Sequence, residues 1–128
     1  MGYVNENLNP LKKKTADAEI RAVAKACNIS WEEAFTGLFK VALEKKLSTY
    51  DVDVIDAFLV SQGFISGKIA VKKGVKRPTV AQFADTYPHL NAVLRISGFY
   101  VASSYGNYYG TFDCGDNAVY KYWYKQIR

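Results

Sequence analysis

The spacing of apolar positions along the chain changes character at Gly63. Before it, apolar residues recur three and four apart, the period of a helix with one buried face; after it they fall into short runs and alternations that suit strands. Ile20, Val23, Ala24 and Cys27 follow Thr15, a candidate N-cap, and Asp17 and Glu19 sit in the first turn, where the helix dipole favours acid. With Asn28 as a C-terminal stop, a first helix is predicted over about residues 16–27. Ser30-Trp31-Glu32-Glu33 has the form of a capping box, in which the Ser hydroxyl and the Glu three residues on satisfy each other's orphan backbone donors. It opens a second amphipathic helix marked by Ala34, Leu38, Val41 and Ala42, with Leu47 as a further candidate. Thr49 or Asp51 opens a third, with Val54, Ile55, Phe58 and Leu59 as its stripe and Gly63 as its end. Ahead of all three, Asn9-Pro10 and Leu11-Lys12-Lys13-Lys14 read as an extended lead-in, because the residue before a proline is driven out of the α region.

In the second half, Ile69-Ala70-Val71 reads as a short strand and Lys72-Lys73-Gly74-Val75-Lys76-Arg77-Pro78 as a basic loop. Thr79 caps a short helix containing Val80, Phe83 and Ala84 that stops before Pro88. Asn91 to Ser97, Phe99 to Tyr105 and Tyr108 to Phe112 read as antiparallel strands, the last two joined by the turn pair Gly106-Asn107, and a final strand covers about residues 118–127. Helices first and strands afterwards define an α+β fold, with N-terminal helices packed on a C-terminal antiparallel β-sheet. The chain of 128 residues suits one domain over 1–128, with no internal repeat and no low-complexity linker.

Composition narrows the chemistry. One His and two Cys cannot assemble a zinc cluster, a disulfide framework or a His-rich metal site, so no metal and no cofactor is expected. The first residues lack the charged-then-apolar pattern of a signal peptide, and no apolar run reaches the roughly 18 residues of a membrane span, which points to a cytoplasmic setting without membrane contact. Charge is uneven: residues 1–60 carry eight basic and nine acidic side chains, residues 61–128 nine basic and three acidic. Seven of the ten Tyr fall between Tyr100 and Tyr124, so the basic half is also the aromatic half. Aromatics interleaved with Lys in Val119-Tyr120-Lys121-Tyr122-Trp123-Tyr124-Lys125 suit a surface that stacks on bases or grips an acidic protein. They equally suit a strand with one ring-bearing buried face and a solvated Lys edge.

Four segments carry a resemblance. Asn9-Pro10 is followed by Ala16-Asp17-Ala18-Glu19-Ile20-Arg21-Ala22, then by Ser97-Gly98-Phe99, then by Tyr109-Gly110-Thr111-Phe112-Asp113-Cys114. In order and spacing these resemble small phage and prophage proteins with a papain-like cysteine-protease fold. There an Asn-Pro lead-in precedes Gly-Asp-Cys-x-x-Arg-Ala, a Gly-His strand start follows, and an aromatic-Asp-Thr-Trp-Asp hairpin end comes last. The resemblance places Ala18 where the nucleophilic Cys would sit, Phe99 where the His base would sit and Gly110 where an acid would orient that His. A thiolate mechanism needs all three groups, so the resemblance implies a pseudoenzyme.

Other constellations offer little. Cys27 is in phase with an apolar stripe near a helix C-terminus, where the dipole opposes a thiolate. Cys114, in a Gly-containing loop, is open to exposure and defines a residual cysteine hydrolase as an alternative. His89 follows a helix-stopping Pro; Asp113 and Asp116 suit turn formation better than a cation site. If the fold is kept without its catalytic groups, what remains is surface recognition. The expectation is a non-catalytic, phage-derived protein that inhibits host machinery, such as a CRISPR effector, by binding a host protein or ribonucleoprotein. The candidate contact residues are Lys72, Lys73, Lys76 and Arg77, the hairpin tip with Tyr105, Tyr108 and Tyr109, and Lys121 and Lys125 of the tail; Lys12, Lys13 and Lys14 form a second basic cluster. Direct nucleic-acid binding by the Tyr and Lys strands is the main alternative.

Overall fold

Three of the helices begin at the caps the sequence offers, while the first starts at Ala18, later than the expected start after Thr15, which does not cap it. In the computed structural model, which describes residues 2–68 and 73–127, α1 runs Ala18–Cys27, α2 Trp31–Lys45, α3 Val52–Ser61 and α4 Val80–Thr86. Ser30 and Glu33 form the expected reciprocal box at the start of α2, Thr79 and Gln82 form a second one at α4, and the Asp51 carboxylate accepts the Asp53 N–H at α3. Asn28 ends α1 in the left-handed conformation, with φ 55°. Asp17 stands before α1 but makes no cap bond; its carboxylate is engaged elsewhere.

The strands are β1 (Tyr3–Asn5), β2 (Ile65–Lys68), β3 (Leu90–Ile96), β4 (Phe99–Ser104), β5 (Asn107–Gly110) and β6 (Lys121–Gln126), in the order β1-β5-β4-β3-β6-β2. The architecture is α+β, but the sheet is mixed rather than antiparallel throughout. Residues ahead of the lead-in supply β1, which pairs parallel with β5. The first strand after α3 is Ile65–Lys68; the expected strand Ile69-Ala70-Val71 lies outside the described residues. The β4–β5 turn is also one residue earlier than its sequence signal. Ser104 pairs with Asn107, leaving Tyr105 (φ 54°) and Gly106 (φ 81°) as the loop, both in the left-handed region that a two-residue hairpin of this hand requires. A loop of Gly106-Asn107 would move the pairing by two residues, setting Tyr108 opposite Tyr105 instead of Ser103 while leaving side chains on their own faces.

Both faces of the sheet are covered. On one, α1, α2 and α3 bury Val23, Leu38, Val54, Ile55 and Leu59 against Val93, Tyr100 and Trp123. On the other, α4 places Val80, Phe83 and Ala84 against Ala92, Leu94, Val101 and Tyr108. Each large aliphatic or aromatic chain withdrawn from water here contributes about 1.5–3 kcal/mol. The tail strand therefore serves two cores. Trp123 is fully buried on the three-helix side, while Tyr122 and Tyr124 pack on the α4 side, so rings do not segregate to one face.

Candidate functional site

The Asn-Pro lead-in and the start of α1 are joined by one buried carboxylate. Asp17 accepts from Arg21 Nε at 2.8 Å, Trp31 Nε1 at 2.9 Å and Asn9 Nδ2 at 3.3 Å. Burial pushes its pKa up, but the three donors outweigh that and hold the carboxyl below its ordinary value. Asn9 is itself buried and accepts the Leu11 N–H through Oδ1, which turns the chain after Pro10 and fixes the approach to α1. Ala18 is then the first residue of α1 and nearly inaccessible.

A β3–β4 turn with Gly98 at φ 76° delivers Phe99 to the same place. The Tyr50 hydroxyl donates to the Gly98 carbonyl and the Tyr100 hydroxyl donates to the Tyr50 carbonyl, so this hairpin is tied to the α3 side; burial pushes Tyr100 up to about 12. Gly110, at the end of β5, accepts from the Glu6 N–H and the Tyr3 hydroxyl. Ala18, Phe99 and Gly110 line one cleft together with Arg21, Phe112 and Cys114. The cleft holds only about 20 Å³, room for about one water, and the Phe99 and Phe112 rings meet edge to face at 5.3 Å within its lining. An adjoining groove shares Arg21, Phe99, Thr111 and Phe112 with the cleft and is bordered further by Lys13, Lys14 and Asp17.

None of the three side chains can give or take a proton. Cys114 is the thiol of the cleft, and the exposure that its loop suggests is not found: it is 4 % exposed, and burial pushes its pKa up. Cys27 packs against the larger core, and burial pushes it up to about 12. His89 is exposed near the other end of the sheet, its carbonyl accepting from Ile127. Asp113 makes a turn as expected. It accepts from the Tyr108 hydroxyl and the Gly115 N–H, which hold it below its ordinary value, and Gly115 is obligatory because a Cβ there would meet the Tyr108 hydroxyl. Among the described residues no three His, Cys, Asp or Glu converge as a metal site, and no helix is long and apolar enough to cross a membrane.

The candidate contact residues do not form one surface. Lys121 pairs with Arg95 at the end of the sheet that carries Phe99, and the Arg77 guanidinium lies 4.5 Å over the Tyr120 ring beside it. Lys73 and Lys76 are exposed in the segment leading there, whereas Lys72 lies outside the described residues. Lys125 pairs with Asn91 at the opposite end, sharing a groove with exposed Tyr105. Tyr108 is a core residue and unavailable for contact, with burial and the adjacent Asp113 raising its pKa to about 12. Tyr109 is half-buried under the Lys25 ammonium, 4.2 Å from its ring. Sequence reasoning passed over Arg95 and Tyr120 at the Phe99 end, and over Asp53 and Asp56, which share a groove of about 590 Å³ with Arg95, Tyr120 and Lys121. Only pairing across strands brings these together, so no local signal announces them. Comparison with protein-family models, with characterised proteins and with solved structures gives no match for this chain.

Proposed function

We propose that the chain is a non-catalytic binding protein on a papain-like scaffold, phage-derived, that inhibits host machinery such as a CRISPR effector by occupying a protein or ribonucleoprotein surface. The observation that carries this reading is the convergence of Ala18, Phe99 and Gly110 on one closed cleft at a helix N-terminus. Three residues more than ten positions apart in sequence meet where the resemblance puts a nucleophile, a base and its orienting acid, and each is chemically inert. Cys114 does not revive the cysteine hydrolase alternative: it is buried, its pKa is raised, and neither His nor Lys lines its cleft.

The contact surface is the end of the sheet around that cleft. Its grooves are bordered by Lys13, Lys14, Arg95 and Lys121, with the Arg77 guanidinium over Tyr120 and the exposed rings of Phe99, Phe112 and Tyr120. Long-range attraction from the cations and desolvation of the rings supply rate and affinity respectively. Asp53 and Asp56 in the same region give the surface a mixed charge pattern. That favours a protein surface over a bare phosphate backbone, with nucleic-acid binding as the second reading, supported by the Arg77–Tyr120 stack.

The test is binding to a panel of purified effector complexes, with and without their guide RNA, beside naked RNA and DNA, between about 50 and 200 mM salt. The reading expects capture of an effector complex, weakening with salt, and about tenfold or greater loss on Lys76→Ser/Arg77→Ser/Lys121→Ser with an unchanged melting temperature. Binding to naked nucleic acid alone would transfer the function to the second reading. Binding indifferent to salt and to that variant would remove this surface from it.

A further inference from the structure

Helix α2 shows most of its large apolar residues to solvent. Ala34, Leu38 and Ala42 face the core, while Trp31, Phe35, Phe39, Leu43 and Leu47 recur every four residues along the helix and onto its C-terminal turn. Trp31 is half-buried, and Phe35, Phe39, Leu43 and Leu47 are 40, 50, 58 and 40 % exposed. The rings are already ordered as a ridge: Trp31 stacks on Phe35 at 5.3 Å and Phe35 on Phe39 at 5.9 Å, with interplanar angles of 11° and 10°. The far end of the ridge opens into a shallow apolar groove lined by Phe39, Leu43, Lys46 and Leu47. Contiguous apolar surface of this extent on a water-soluble face marks an interaction site.

We propose that a second copy of this chain covers the ridge, antiparallel, about a two-fold axis through Phe39. The ridge is symmetric about that residue. A two-fold there sets Trp31 against Leu47 of the other copy, Phe35 against Leu43, and Phe39 against itself, so every position meets an apolar mate. The charges obey the same symmetry. Glu32 and Lys46 are both exposed, lie equally far from Phe39 in sequence and flank the ridge at opposite ends, about 21 Å apart along the axis at 1.5 Å per residue. Antiparallel pairing joins each Glu32 to a Lys46 and opposes the two helix dipoles; parallel pairing would stack like on like. A nearly aligned crossing of about 20°, as in helix bundles, keeps the end pairs in reach at interaxial distances of about 8–10 Å. One helix face per copy falls short of the roughly 800 Å² per partner of a standard stable interface, so the dimer is weak and reversible.

Sedimentation velocity of the full chain from about 10 μM to 1 mM should show a concentration-dependent monomer–dimer equilibrium. Phe39→Glu is expected to weaken it at least about tenfold; because Phe39 is exposed, the variant should keep its circular dichroism and melting temperature. Glu32→Lys and Lys46→Glu should each self-associate more weakly than the parent and should pair with one another when mixed. A residue on the axis must meet its own copy. Helix radii of about 2.3 Å at that interaxial distance leave the two positions within disulfide reach, so Phe39→Cys should cross-link with copper phenanthroline as oxidant and Glu44→Cys should not. A chain that stays monomeric at 1 mM, a dimer unaffected by Phe39→Glu, or equal cross-linking of the two Cys variants would each overturn the proposal.

Discussion

Two carboxylates two residues apart on the same turn are buried to opposite effect. Asp17 has three donors and is held below its ordinary value. Glu19 has one, the Thr49 hydroxyl at 2.8 Å on Oε2; its Oε1 is buried without a partner, and burial pushes its pKa up. The native state therefore binds the Glu19 proton more tightly than the unfolded chain does, and stability from this site declines as pH rises from about 4.3 through the native value. Asp17 acts in the other direction, losing its contribution as pH falls below about 3.9. Glu19→Gln keeps an acceptor for Thr49 and removes the charge, so it should stabilise the protein at pH 7 by about 1 kcal/mol and have little effect at pH 4. Thermal melts of both proteins across that range decide it, and a lower melting temperature at pH 7 would mean that the Glu19 charge is used. Nothing in the sequence separated these two acids. Both read as favourable first-turn residues, and what distinguishes them is Trp31 and Asn9 reaching Asp17 from other segments.

At the level of elements, α2 and α3 pack closely at Gly37, where a Cβ would run into the Phe58 ring. In an open helix Gly37→Ala would add up to about 1 kcal/mol of helix propensity. Here the overlap should reverse the sign and cost about 1–3 kcal/mol, read as a lower urea midpoint at unchanged slope. A raised midpoint would show that the helices can part without loss. The four helices were legible because caps and apolar period are local, and the Ser30–Glu33 box and Thr79 cap stand where the sequence put them. β1 was not legible: three residues with Asn5 at the end carry no period, and only pairing with β5 makes them a strand. The turn after β4 stands one residue before its local signal Gly106-Asn107: Ser104 pairs with Asn107, which puts Tyr105 in the loop at a positive φ. The α2 ridge was written plainly at four-residue intervals but passed unnoticed, because a search for a buried stripe finds Ala34, Leu38 and Ala42 first.

For the whole molecule, the resemblance drawn from four short motifs stands or falls on whether the cleft can still act. Ala18→Cys/Phe99→His/Gly110→Asp installs the three group types that the resemblance implies, and a thiol at the α1 N-terminus beside an imidazole should ionise at about pH 3.5–7.5 rather than near 8.5. Iodoacetamide should then label the new thiol at pH 7 at least about tenfold faster than Cys27 or Cys114, as mass spectrometry of the peptides would record. Equal labelling would leave the cleft as a packing detail. The candidate cleft was thus legible as positions, while its closure by two Phe rings and the division of the basic residues between two sheet ends required the fold. Strand β1 adds a consequence in time. Gly2 donates to Asn107 across 105 residues, and Tyr3 sits in register with Tyr108. During synthesis the ribosome must deliver β5 before β1 has anywhere to dock. Throughout that interval β1 is an unpaired strand, available to the β5 edge of a neighbouring chain that has already emerged, so crowded polysomes would favour strand-exchanged products that dilute translation avoids.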